Sequence, residues 1–209
     1  QEIIASLGRS ALAEADLDHL FAAAAAAMAQ GLGVAYSKVM QLVPGDRSFV
    51  LKAGVGWEPD WLGRRIGGLD DVDVRLAGGI SPHQSWVIDS LVSDAQDPAS
   101  EFLRAHGIVS GLDVAIVGSE GLCGVLGVYS REPRQFSADN LDFLQSIANI
   151  LATAMDRNRG EEQLAHLAQY DPLTDLPNRA LLKDRLSVAM AESQRSGKRL
   201  VVMYMDLDR

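Results

Sequence analysis

The longest run of regularly spaced apolar positions in this chain lies between Ser137 and about Gln169. Leu141, Leu144, Ile147, Ala148, Leu151, Ala154 and Met155 recur at three- and four-residue steps, which places them on one face of an α-helix. Ser137 stands where an N-cap is expected, with Asp139 in the first turn, and Pro172 ends the pattern because it supplies no amide and disfavours helix before itself. From Asp156 the sequence turns charged (Arg157, Arg159, Glu161, Glu162), and apolar residues return only at Leu164 and Leu167. At ~1.5 Å per residue such a helix reaches on the order of 50 Å, longer than one small domain needs. Its first half can pack on a core and its second half cannot, so residues 137–170 read as a connector.

The rest of the chain divides around it. Residues up to Leu32 read as helical, with Leu17, Leu20, Phe21, Ala24, Met28 and Leu32 at helical steps and Gly31 and Gly33 as stops. Ala35–Val43 and 47–53 read as strands about a turn at Pro44-Gly45-Asp46. Residues 54–84 form an irregular, Gly- and Asp-rich stretch. A strand at 86–89, a short helix at 97–106, and strands at 111–117 and 122–129 joined by Gly118-Ser119-Glu120-Gly121 follow. Helix, two strands, irregular segment, strand, helix, two strands and long helix make an α+β layer fold, one antiparallel sheet with flanking helices. Beyond the connector, 180–196 has a helical pattern and 199–207 reads as a continuous apolar strand, of the kind buried on both faces, ending in Asp206 and Asp208.

Composition narrows the function classes. Across the 209 residues, 47% apolar and 22% charged content is that of a globular chain. A net charge of −9 argues against nucleic acid as a partner. The single cysteine, Cys123, excludes an internal disulfide and a thiolate cluster, and reads as a small buried hydrophobe. The Ala-rich run at 21–28 is too short to span a bilayer, and no signal peptide is visible, so a cytoplasmic location is expected.

Gly54-Val55-Gly56-Trp57, the run from His106 to Ile116, Gly124 to Tyr129 and Arg134-Gln135-Phe136-Ser137 together resemble a GAF domain. The resemblance spans residues 10–158, after a helical lead-in at 1–9. It implies a sensory or regulatory module, a parallel homodimer through the N-terminal helix and the 137–170 helix, and a small-molecule ligand in a pocket over the sheet. Trp57, Trp61, His83 and Trp86 are the candidate pocket residues. Trp57 and Trp61 stand one helical turn apart and either close over a ligand or lid the core, the second being preferred. His83 and His106 are read as a loop and a helix-end residue rather than haem ligands, and Asp70, Asp71 and Asp73 as a solvated loop without calcium-loop spacing. The Asn-Lys-Phe-Asp-Glu motif of cyclic-nucleotide-binding members is absent, Cys123 lacks the setting of bilin-attaching cysteines, and no cofactor is assigned to this domain.

Tyr170-Asp171-Pro172-Leu173-Thr174-Asp175-Leu176-Pro177-Asn178-Arg179 resembles the opening of a GGDEF domain, the fold of diguanylate cyclases, over residues 171–209. By that resemblance, Asp171, Leu173, Thr174, Asn178 and Arg179 form a coupling turn. In an intact domain Asp206 and the carbonyl of Leu207 would hold Mg2+ or Mn2+ with GTP. Metal ions neutralise triphosphate charge and assist the attacking hydroxyl, and a carboxylate ending a rigid strand holds one without loop motion. The 209 residues stop before the Gly-Gly-Asp/Glu-Glu-Phe signature, so they are expected to be catalytically inactive, with the 199–207 strand short of sheet partners and disordered, aberrantly packed or paired with a neighbouring chain.

The expected function is therefore the regulatory sensor of a cyclic di-GMP signalling protein, in which GAF input controls a GGDEF cyclase and a phosphodiesterase domain can follow. The alternatives are a ligand-free GAF dimerisation scaffold and, less favoured, the input domain of a histidine kinase with His166 as phospho-acceptor. Gly160, inside the charged half of the connector, is the expected weak point of the helix.

Overall fold

The computed structural model describes residues 2–13, 16–43, 45, 47–68, 85–88, 98–203 and 205, with the backbone alone at 13, 68, 85–88 and 98–101. The chain forms two compact units, residues 1–158 and 159–209.

The first unit opens with two helices, α1 (Glu2–Ala13) and α2 (Leu17–Leu32), where the apolar pattern predicts one continuous helical segment. Asp16 separates them. It is extended (φ −94°, ψ 106°), and its carboxylate accepts the Asp18 amide, so it starts a new helix. Gly33, at φ 59°, ends α2, and Arg134 donates to the carbonyls of Leu32 (2.6 Å) and Gly33 (3.3 Å), satisfying groups the helix end leaves open. Gly31 stays inside the helix, where a Cβ would lie 2.6 Å from the ring of Phe143.

Six strands follow: β1 (Tyr36–Val43), β2 (Ser48–Val55), β3 (Arg65–Gly68), β4 (Ser85–Ile88), β5 (Ser110–Gly118) and β6 (Gly121–Ser130). They form one antiparallel sheet in the order β3-β2-β1-β6-β5-β4. β3 and a 3-10 turn at Pro59–Trp61 lie in the stretch expected to be irregular. A four-residue strand with two glycines and one buried apolar side chain, Ile66, offers no alternation to read. Pro44 and Asp46 of the first hairpin, and Asp70, Asp71, Asp73 and His83, lie outside the described residues.

Each face of the sheet has its own core. On one, Val39, Ala53, Leu112, Val114, Leu126 and Val128 pack with α1, α2 and the long helix α4 (Ala138–Gln169). Ser137 and Asn140 cap α4 reciprocally, amide to side chain at 3.1 and 3.3 Å. All buried residues of α4 fall between Leu144 and Met155, as the apolar pattern predicts, while Leu164 and Leu167 are 69% and 52% exposed. On the other face, Tyr36, Met40, Phe49, Leu51, Val125 and Tyr129 pack with Phe102 and Leu103 of α3 (Pro98–Ala105).

The second unit holds the end of α4, a turn, and α5 (Arg179–Ser196). Asn178 caps α5 by accepting the amides of Ala180 and Leu181, and Gly197 (φ 69°) ends it. The apolar strand predicted at 199–207 is not formed over its described residues. Residues 199–203 carry no strand, and Val201, Val202 and Met203 are 82%, 62% and 76% exposed. A strand of that type exists only where a neighbour accepts its ladder and covers its side chains.

Candidate functional site

The face away from α1, α2 and α4 carries the only charged pair among the described residues buried within the sheet. Lys38 of β1 is opposite Gly127 of β6, and Gly127 is opposite Asp113 of β5, so the three form one row across the strands. Because Gly127 has no side chain, Lys38 and Asp113 meet above it. The Lys38 Nζ lies 3.9 Å from Asp113 Oδ1 and 4.9 Å from the centre of the Tyr129 ring, and the Tyr129 hydroxyl donates to Asp113 Oδ1. A Cβ at Gly127 would fall 2.0 Å from Asp113 Oδ1, and one at Gly111 would fall 2.4 Å from the Tyr129 ring. Both glycines are therefore needed for close approach. Burial of these charges is tolerable only because they are paired and hydrogen-bonded.

An aromatic cluster borders this row. Trp57 stands two residues past the end of β2 and lies against Gly54, where a Cβ would fall 2.4 Å from the indole. Its Nε1 donates to the Ser37 carbonyl at 2.6 Å, and its ring packs against Tyr36, Phe102, His106 and Tyr129 with centroids 4.6–5.9 Å apart. Trp61 packs on Phe102 and His106, with Arg64 stacked over it. The preferred reading of Trp57 and Trp61 as lids of the core matches their contacts, for both are half-buried against it. Of the four candidate pocket residues these two come together. His83 lies outside the described residues, and Trp86 is described only by its backbone, which places it opposite Asp113 in the sheet register.

His106 does more than end α3. It is buried, its Nδ1 is 2.7 Å from the Phe102 carbonyl, and its Nε2 is 2.9 Å from Glu58 Oε2. The His106 hydrogen bond holds the Glu58 carboxyl below its ordinary value of 4.5. This contact ties the 56–62 segment to the end of α3. Sequence reasoning missed Lys38, Asp113, Tyr129 and the His106–Glu58 contact. The available signal was a lysine and an aspartate inside otherwise apolar strands, with glycines at strand-interior positions beside them. Cys123 is buried, as its surroundings predict.

In the second unit the coupling-turn residues are brought together. Asp171 accepts the amides of Leu173 and Thr174 and the Thr174 hydroxyl at 2.9–3.1 Å, and these bonds, the Thr174 hydroxyl first, hold its carboxyl below the ordinary 3.8. Asn178 donates from its backbone to the Gln169 carbonyl and from its side chain to that of Ala168, while also capping α5. The turn is thus bonded to the last residues of one helix and the first of the next. Leu173 points out, 91% exposed, and Arg179 is the first residue of α5. Asp175 takes a left-handed conformation (φ 56°), and its carboxylate accepts from His166 Nε2 at 2.7 Å while His166 stacks on Tyr170. Asp206 and Leu207, the expected metal ligands, lie outside the described residues. Among the described residues, no group of three His, Cys, Asp or Glu could hold a metal, and no helix is long and apolar enough to cross a membrane.

A six-stranded antiparallel sheet, helices closing one face, a polar and aromatic floor on the other and a long exit helix are the architecture of a GAF domain. Residues 16–155 match the GAF domain family model, and the chain belongs to that family. Residues 168–209 match part of the diguanylate cyclase GGDEF domain. The bifunctional diguanylate cyclase/cyclic di-GMP phosphodiesterase MucR of Pseudomonas aeruginosa is 43% identical over 65 residues, 31% of this chain and 9% of MucR. The diguanylate cyclase TpbB of the same species is 36% identical over 78 residues, 37% of this chain and 17% of TpbB. The chain therefore spans less than a fifth of the length of either relative. Among solved structures, the GAF domain of a Coxiella burnetii phosphoenolpyruvate-protein phosphotransferase superposes with a TM-score of 0.64 at 16% identity, over 78% of this chain and 95% of that one. The phycoerythrobilin-bound GAF domain of a cyanobacterial phytochrome does so with a TM-score of 0.63 at 20% identity, over 77% and 96%. Likeness at these identities establishes the fold.

Proposed function

We infer that this chain is the regulatory input of a cyclic di-GMP signalling protein, a GAF sensor that controls a GGDEF diguanylate cyclase through α4. The observation that carries the reading is the continuity of α4, which is buried in the GAF core from Leu144 to Met155 and ends at Gln169, where the bonded coupling turn begins. A parallel homodimer through the N-terminal helices and α4 would bring two GTP-loaded GGDEF domains together, and the sensor would act by re-registering the paired helices. In an intact GGDEF domain, Asp206 and the Leu207 carbonyl would hold Mg2+ or Mn2+, which supplies charge neutralisation for the triphosphate.

The sheet face bearing Lys38, Asp113 and Tyr129 is where a small molecule would be read, since it joins buried charge to aromatic surface. A ligand-free dimerisation scaffold is the second reading. It is favoured by the packing of Trp57 into that face and by the hydrogen-bond partners of every buried side-chain nitrogen and oxygen among the described residues. The histidine-kinase reading is disfavoured because residues 168–209, which follow His166, match part of the diguanylate cyclase GGDEF domain.

A native mass spectrum of the purified chain tests these readings. Twice the chain mass plus a discrete excess supports the ligand-bearing sensor, a clean dimer supports the scaffold, and a monomer overturns the paired-helix mechanism.

A further inference from the structure

The turn between β5 and β6 touches α4 at the point where that helix leaves the core. Asp156 follows Met155, the last buried residue of α4, and its Oδ2 accepts the Ser119 amide at 2.8 Å. Gly118 lies flush against the same carboxylate, for a Cβ there would fall 2.5 Å from Asp156 Oδ1 and 2.9 Å from Cys123 Sγ. Residues Leu144 to Met155 hold α4 by apolar packing, which is non-directional. The Asp156 contact is directional and charge-assisted, so it is sensitive to small displacements of the turn.

The two strands that meet at this turn are those that carry Asp113, Gly127 and Tyr129. Asp113 is five residues from Gly118, ~17 Å along a strand. The β5·β6 register shifts between Ile116 and Val117, and such an irregularity re-aims the strand end. A stiff paired hairpin thus has the buried polar row near its middle and the helix contact at its tip.

We propose that the β5–β6 hairpin is the lever by which the sheet face acts on α4, with Asp156 as the positioning residue that receives its movement. This rests on the sensor reading above and deepens it. A rearrangement at Asp113 and Tyr129 displaces residues 118–121, changes the Ser119–Asp156 bond, and alters the stability of the helix beyond the core, in which Gly160 already lowers the cost of opening. A side chain at Gly118 would have to displace the Asp156 carboxylate and the Cys123 thiol.

The test uses the 209-residue chain without ligand, read by hydrogen exchange over residues 156–165. Tyr129→Phe removes the donor to Asp113 and raises exchange over that segment about five- to tenfold. Asp113→Asn is the second perturbation of the same network. In the Asp156→Ala background neither substitution changes the segment further, whereas Asp156→Asn, which keeps an acceptor oxygen, preserves the response. Gly118→Ala alone reproduces the Asp156→Ala baseline. The proposal is overturned if Tyr129→Phe and Asp113→Asn leave residues 156–165 unchanged, or if their effect persists undiminished in Asp156→Ala. Because no ligand enters the experiment, its failure leaves the sensor reading standing, and an empty sheet face in the mass spectrum leaves this result untouched.

Discussion

Replacing Lys38 by methionine isolates what the buried row contributes to stability. Methionine keeps the apolar stem against Tyr129 and removes the charge. At the 3.9 Å separation of Lys38 and Asp113, the Coulomb attraction lost is about 4 kcal/mol at an effective dielectric near 20. Breaking a buried pair from one side costs ~3–5 kcal/mol because the partner charge stays buried. The Tyr129 hydroxyl still donates to Asp113, so the expected loss is about 3–4 kcal/mol. With a urea m-value of ~2 kcal/mol/M, the unfolding midpoint falls by roughly 1.5–2 M. Fluorescence of Trp57 and Trp61, which sit in the cluster beside the row, reports the transition. The double variant Lys38→Met/Asp113→Asn removes both charges of this pair and recovers to within about 1.5 kcal/mol of the parent. A loss below about 1 kcal/mol in the single variant, or a double variant as unstable as the two singles summed, would refute the account of a coupled buried pair.

Two further outcomes are expected. Glu58 has a depressed carboxyl pKa, so the stability it adds through His106 is present above its unfolded value near 4.5 and is lost as pH falls through the lower folded value. The stability difference between the parent and Glu58→Gln should therefore shrink in that acid range, and a difference that stays constant from neutral to acid pH argues against the His106 contact. Gly160→Ala meets no neighbour within 4 Å of the new Cβ and should strengthen α4 by about 0.5–1 kcal/mol, seen as slower hydrogen exchange around residue 160. In a protein carrying an intact cyclase, unchanged basal activity and signal response in this variant would count against Gly160 as a hinge.

The helices and most strands were legible in the sequence because periodicity is a local property. The apolar face of α4, its end before Pro172 and the exposure of Leu164 and Leu167 all follow from the spacing of residues along one helix. The coupling turn was expected from the resemblance of residues 170–179 to the opening of a GGDEF domain, and its bonds are local, since Asp171, Thr174 and Asn178 bond to groups within ten positions of themselves. The division of the N-terminal helix at Asp16 was also local but was hidden by an apolar pattern that continues past it. Only tertiary structure decided β3, which exists because β2 is there to pair with it, and the fate of 199–203, which lack such a partner. It also decided the buried row. Lys38, Asp113 and Gly127 are far apart in sequence, and what makes them a unit is sheet register, set by the pairing of three strands and by the space one glycine leaves. A charged residue in an apolar strand is a visible anomaly in sequence, but its partner is named only when the strands are laid side by side.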